Sequence, residues 1–236
     1  METRNRLLMM LAPDERAKLL SIAPLRSFER GDVIRRSDDT VRRLVFPETM
    51  LASLVVTLSD GRTAEVAAIG CDGLVGFQTF LDGGRMPSAT VCAVPGTGHV
   101  IAAEAFRRVV GRGRIRHAVG AFAQGLINEL AQVAACNRLH DVEQRTARWL
   151  LFTQDRVGRD QFQITQEYLA AMIGASRTAV AVVAGRFASD DIAYFRHGTF
   201  RVEDRAKLER AACECYAIVR GEFARLVSWE PSATTT

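Results

Sequence analysis

The chain has 236 residues, of which 48% are hydrophobic and 25% charged, and a formal net charge of +4. Such a length buries a sizeable core and divides most naturally into two domains. The mild charge excludes an argument from bulk electrostatics: from residue 141 onward there are 13 acidic and 13 basic side chains, so nucleic-acid binding has to rest on geometry and a local basic edge.

Residues 5–22 carry apolar side chains at helical spacing, with Pro13, Asp14 and Glu15 reading as a helix start. The apolar run from Leu7 to Leu11 stops at those residues, too short for a secretory core or a membrane span, so a cytoplasmic protein is expected. After Ser27 the pattern shifts to short β-branched and apolar runs broken by glycines, at 43–46, 51–58, 63–69, 89–94 and 98–102. Short strands with turns between them predict a β-sandwich or jelly roll, and Asp60-Gly61 supplies hairpin-turn chemistry between two of them.

No proline or turn cluster interrupts 115–139, which predicts one long helix. Its seam, Val119, Phe122, Leu126, Leu130, Val133 and Asn137, has spacings of three and four that approximate a heptad. Alanines at 118, 121, 131, 134 and 135 thin the helix for close approach by a second copy, so a parallel homodimer is the economical partner. The competing partner for the seam is the chain's own β-domain.

Asp141 reads as the N-cap of the next helix. Beyond it, Leu169, Ala170 and Ile173 line the inner face of a short helix, Gly174 supplies a turn with positive φ, and Ser176 caps a second helix whose buried face is Val180 and Val183. This spacing is that of a helix-turn-helix. Arg177, Thr178 and Ala179 are left at the N-terminus that such motifs present to the major groove. Thr165 and Gln166 open the first helix, and Arg186, Arg196 and Arg201 offer a basic edge. A hairpin turning at Arg196-His197-Gly198 follows as a wing. One final helix is expected from Asp204 to about Val227, then a disordered tail.

The expected divisions are thus a sensor β-domain at 1–114, a dimerisation helix at 115–140, a winged helix-turn-helix domain at 141–227 and the tail at 228–236. Five cysteines with no Cys-x-x-Cys pair fit reduced thiols better than a disulfide framework. Cys213 and Cys215, one residue apart on a predicted helix, should diverge by about 200°, so no shared metal is expected. A redox role stays open for Cys71 or Cys92. The chain has no Gly-x-Ser-x-Gly elbow, no phosphate loop and no His-Glu-x-x-His, and no enzyme activity is assigned.

A β-domain, an apolar-seamed helix and a winged helix-turn-helix, in that order, resemble the Crp/Fnr family of bacterial transcription regulators. The resemblance is carried by the run from Asp141 to Leu151, by Ile164-Thr-Gln166 with Gly174-Ala-Ser176-Arg177, and by Gly73-Leu-Val-Gly76-Phe77. It implies an α+β fold: an N-terminal double-stranded β-helix (jelly roll), a long dimerisation helix and a C-terminal winged helix-turn-helix. It places the effector site at Gly73, Leu74, Arg85, Ser88 and Ala89. Leu74 and Pro87 stand where the family's cyclic-nucleotide binders carry a glutamate and an arginine, and neither side chain does that polar work. Binding of cAMP in the usual way is therefore not expected. No cysteine precedes Cys71, so no iron–sulfur cluster is expected either; His99, His117, His140 and His197 leave haem open, and the cofactor stays unassigned.

At the DNA end, Arg177 matches the family's guanine-reading arginine, with Thr178 and Ala179 offering methyl contacts to thymine. Thr165 and Gln166 match positions that resemble phosphate clamps, and His197 reads as a turn or phosphate-contacting histidine. The implied partners are double-stranded DNA, a second copy in a homodimer, RNA polymerase and a small-molecule effector, with no membrane. The implied function is sequence-specific transcriptional regulation. The alternative is a metabolite-binding module whose C-terminal helices serve assembly.

Overall fold

The computed structural model describes residues 2–80, 86–109 and 114–227. Arg85 and the tail at 228–236 lie outside the described residues. The N-terminal stretch forms two helices, α1 (Arg6–Met9) and α2 (Pro13–Ile22), and α2 starts at Pro13 as the sequence indicates. Asn5 decides where α1 begins. Its side chain accepts a hydrogen bond from the amide of Leu8 and donates to the carbonyls of Pro47 and Gly73 at 3.1 and 2.8 Å, so the cap also ties the helix to the β-domain.

Among the described residues seven strands follow: β1 (Leu25–Phe28), β2 (Val33–Arg35), β3 (Arg43–Pro47), β4 (Leu51–Thr57), β5 (Thr63–Ile69), β6 (Ala89–Val94) and β7 (Gly96–Ala102). They form two antiparallel sheets, ordered β1-β7-β3 and β2-β6-β4-β5. The two short strands β1 and β2 carry no alternation that the sequence could display, because their side chains are mostly exposed. Between the sheets Leu44, Phe46, Leu51, Ala52, Val94 and Ile101 form the core. Gly61, at φ +84°, turns the β4–β5 hairpin.

Helix α3 (Ala103–Val109) leads to the long helix α4 (Arg114–Leu139). Here the expected seam is corrected. Val119, Phe122 and Leu126 are buried within their own chain, and Phe122 meets Phe77 edge-on with ring centroids 5.4 Å apart. Leu130 and Val133 are half-buried, and only Asn137 is exposed. The physical reason is that α4 carries two stripes at heptad-like spacing, and the bulkier one buries more apolar area against the β-domain and the C-terminal helices. The stripe left outside is Gly120, Gln124, Ile127, Ala131, Ala134 and Arg138, all exposed.

The C-terminal part comprises α5 (Val142–Val157), β8 (Gln161–Gln163), α6 (Gln166–Ile173), α7 (Arg177–Ser189), β9 (Ala193–Arg196), β10 (Thr199–Val202), α8 (Arg205–Ala211) and α9 (Cys215–Val227). Asp141 caps α5 in a reciprocal box with Gln144. The three strands pair in the order β8-β10-β9. The single final helix expected from Asp204 is two, broken where Ala212 turns extended (φ −79°, ψ 154°) with no glycine or proline to announce it. What breaks it is tertiary: Cys213 and Cys215 turn into a small buried cluster with Cys136 of α4.

Candidate nucleic-acid interface and its links to the sensor domain

The helix-turn-helix is built by three local devices. Thr165 caps α6, its hydroxyl accepting from the amide of Tyr168 at 3.1 Å, and Ser176 caps α7 by accepting from Ala179 at 3.1 Å. Gly174 closes α6 in the left-handed region at φ +64°, where a side chain is strained. Arg145 of α5 donates to the carbonyl of Ile173 at 2.8 Å and so holds the end of α6 from outside. The chain turns through 111° between α6 and α7, within the range of a helix-turn-helix. Leu169, Ala170, Ile173, Val180, Val183 and Phe187 fill the crossing.

What remains outside α7 is a face of Arg177, Thr178, Ala181, Val182 and Gly185, all exposed, with Ala179 half-exposed beside them. Val182 is 59% exposed on this face. A small, methyl-rich surface with one arginine at its N-terminal end suits close approach to a groove wall and base edges. Gln166 is half-buried at the start of α6. Arg186 departs from the expected basic edge: its guanidinium reaches back to the carboxylate of Glu143 on α5. Arg201 likewise pairs with Glu203 at 2.8 Å. The wing turns at His197 and Gly198, both at positive φ (+50° and +73°), with Arg196 paired across to Thr199. That is a two-residue primed turn, which matches the twist of the flanking strands.

Two polar networks bind this region to the sensor domain, and neither was visible in the sequence. Arg156 of α5 is buried and bonded to Asp72, in the loop after β5, and to Glu129 of α4. Burial by itself would lower its pKa, but the two carboxylates more than offset this and raise it. In the second network, Glu65 of β5 accepts from Trp149 Nε1 at 2.9 Å and from the hydroxyl of Ser53, which in turn accepts from Tyr168 OH of α6 at 3.2 Å. Burial pushes the Glu65 carboxyl up to about 7 despite those hydrogen bonds. Tyr168 is also raised, by burial and then by the neighbouring Glu65 charge. The first helix of the helix-turn-helix is thereby docked on the sensor sheet.

In the sensor domain the expected effector positions separate. Gly73 and Leu74 are corrected: a Cβ on Gly73 would lie 2.4 Å from the Phe122 ring of α4, and Leu74 is fully buried in the apolar core, so both serve packing rather than a ligand. Ser88 is buried with its hydroxyl unpartnered among the described residues, and Ala89 opens β6 half-buried. Two residues that sequence reasoning missed converge there. Arg35 is buried and donates to the carbonyls of Arg36, Met86 and Ser88. Gln78 donates to Met86 Sδ while its Oε1 has no partner among the described residues. Burial lowers the pKa of Arg35, countered by Asp39 and Asp38.

Histidine and cysteine placements narrow the remaining expectations. His99 has both ring nitrogens engaged, Nδ1 with the Ala23 carbonyl at 2.8 Å and Nε2 near Glu48 at 3.6 Å. Cys71 and Cys92 are buried, and burial pushes their thiols up to about 11 and 12, which disfavours the reactive thiolate. The expected divergence of Cys213 and Cys215 is corrected: because the helix breaks, their sulfurs converge with Cys136 and His140, all four ligand atoms lying within 4.8 Å of one another.

Comparison with known proteins agrees with this architecture. A family model described as a cyclic nucleotide-binding domain matches residues 25–112, and one described as a Crp-like helix-turn-helix domain matches residues 144–211. The fold is similar to that of TTHB099, a CRP-family transcriptional regulator from Thermus thermophilus, at 21% identity over 79% of this chain and 96% of that one (TM-score 0.65). It is similar to FixK2 from Bradyrhizobium japonicum at 14% identity over 81% and 98% (TM-score 0.66). It also resembles the c-di-GMP-responsive global regulator CLP from Xanthomonas campestris, at 16% identity over 82% and 100% (TM-score 0.62). Curated proteins give no match. Among the described residues no single helix is long and apolar enough to cross a membrane. The helix-turn-helix match disfavours a module whose C-terminal helices serve only assembly, and the chain belongs to the Crp/Fnr family, as a transcriptional regulator with a cyclic-nucleotide-binding-like sensing domain and a helix-turn-helix DNA-binding domain.

Proposed function

We propose that the protein works as a homodimer that reads a two-fold DNA site with the outer face of α7 in the major groove. The observation that carries this reading is the capped N-terminal turn of α7, with Arg177 and Thr178 exposed above Ala181, Val182 and Gly185. Arg177 supplies a bidentate contact to a guanine, and Thr178, Ala179 and Val182 supply methyl contacts. Ser176 holds the turn, while Thr165, Gln166 and His197 take phosphates from the flanking elements. Arg186 is occupied by Glu143 and is left out of this set.

The two copies meet along the outer stripe of α4 around Ile127, which is 59% exposed, with small residues at Gly120, Ala131 and Ala134 allowing close approach. The oxygens of Gln78 and Ser88, unpartnered among the described residues, are the groups offered to an effector, while Leu74 and Pro87 replace the carboxylate and arginine that would hold a cyclic nucleotide. Binding there favours one arrangement of the polar networks over another and so shifts DNA affinity. Contact with RNA polymerase, a cytoplasmic location and the absence of a catalytic role belong to the same reading.

A mobility-shift titration on the region upstream of the protein's own coding sequence tests it. Arg177→Ala should cost about 1–3 kcal/mol on the specific site and leave binding to random duplex nearly unchanged. Equal affinity of the wild type for every duplex would refute the reading.

A further inference from the structure

Four ligand-type side chains meet where the long helix hands over to the DNA-binding domain. Cys136 lies in the last turn of α4 and His140 just beyond its end; Cys213 lies in the α8–α9 linker and Cys215 opens α9. The sulfurs of Cys136 and Cys213 are 3.5 Å apart, and the sulfur of Cys215 is 3.6 Å from His140 Nδ1. A tetrahedral zinc, with bonds of about 2.3 Å to sulfur and 2.0 Å to nitrogen, has ligand-to-ligand edges of about 3.5–3.8 Å. From this geometry we propose that Cys136, His140, Cys213 and Cys215 bind one zinc-class ion per chain in a closed tetrahedral site.

The surroundings are those of a metal centre rather than of a small apolar cluster. His140 turns Nδ1 toward the sulfurs while Nε2 faces a carboxylate oxygen of Glu214 at 3.3 Å. A carboxylate on the far nitrogen is the usual device for fixing the tautomer and orientation of a ligating histidine. Gln132 Nε2 donates to the sulfur of Cys215 at 3.1 Å, a bond that strengthens when the sulfur is a thiolate. Arg148 of α5 is 4% exposed, its Nε has no partner among the described residues, and its charge acts on Cys136. Three thiolates around a divalent ion leave one net negative charge, and this guanidinium balances it.

Three thiolates and one imidazole select a soft, tetrahedral ion over magnesium or calcium. On binding, the three thiol protons pass to solvent, so affinity falls as pH is lowered. The ion pins the start of α9 to the end of α4, one residue before Asp141, the cap of α5. It therefore stiffens the junction across which any signal from the sensor must travel.

The test is metal analysis of the full chain purified under reducing conditions, with cobalt as a spectroscopic substitute. About one zinc per chain is expected, together with a thiolate-to-cobalt charge-transfer band and intense tetrahedral ligand-field bands. Cys213→Ser should abolish both, and Cys92→Ser should leave both intact. Because a ligand variant can fail to fold, Glu214→Gln is the second arm: its side chain is largely exposed, and it should weaken metal affinity about 10–100-fold in a folded protein. Reduced, folded wild type that takes up no zinc, an octahedral cobalt spectrum, or a Cys136–Cys213 disulfide in metal-free purified protein would each overturn the proposal.

Discussion

Glu129, midway along α4, grips Arg156 of α5 with both carboxylate oxygens, at 3.0 and 2.7 Å, while Asp72 from the sensor loop takes the same guanidinium at 2.9 Å. The sensor domain, the long helix α4 and the DNA-binding domain thus share one buried cation. Removing one partner of a buried pair leaves an uncompensated charge, which costs about 3–5 kcal/mol. Arg156→Ala should be the most damaging change, since it strands two carboxylates, and Glu129→Gln the mildest. Denaturant unfolding monitored by circular dichroism measures it; a loss below about 1 kcal/mol for Arg156→Ala contradicts the account.

Glu65 makes the interface between sensor sheet and α5–α6 sensitive to pH. Its folded pKa, about 7, lies above the usual unfolded carboxyl value of about 4.3. The stability it contributes is therefore fully present below the unfolded value and lost as pH rises through about 7. Thermal midpoints should fall from pH 6 to pH 8 in the wild type, and the slope should flatten in Glu65→Gln. An unchanged slope in that variant would assign the pH dependence elsewhere.

The two stripes of α4 give separate tests of folding and of the proposed dimer. Phe122→Ala empties a site between Phe77 and Phe223 and should cost about 3–5 kcal/mol of stability. Ile127→Glu, on the outer stripe, should leave the fold intact and give monomers in sedimentation velocity. A dimer retained by Ile127→Glu would move the interface off this stripe.

Ser176 is the cap on which presentation of Arg177 depends. Ser176→Ala should destabilise the protein by about 1 kcal/mol and weaken specific DNA binding, with Ser176→Asp retaining the cap. Arg186→Ala should change DNA affinity less than Arg177→Ala, because its charge is already met by Glu143. Titrations across a salt series separate these effects.

Much of the chain was legible because its structure is local. The bounds of α4, β5 and β6, the start of α7 and the turn of the wing follow from periodicity, from caps at Asp141 and Ser176, and from left-handed turns at Gly61, Gly174 and Gly198. Each of these is a contest between neighbouring atoms, so a sequence of 236 letters is enough to decide it. The side taken by each stripe of α4, the break after Ala211, the occupation of Arg186 and the burial of Gly73 and Leu74 depended on residues far away along the chain, or on packing between elements. Val119, Phe122 and Leu126 have the same spacing whether they face a second copy or the chain's own core; only competition for apolar area settles it. The same holds for Cys213 and Cys215, which a continuous helix would set apart and which tertiary contact with Cys136 and His140 draws together.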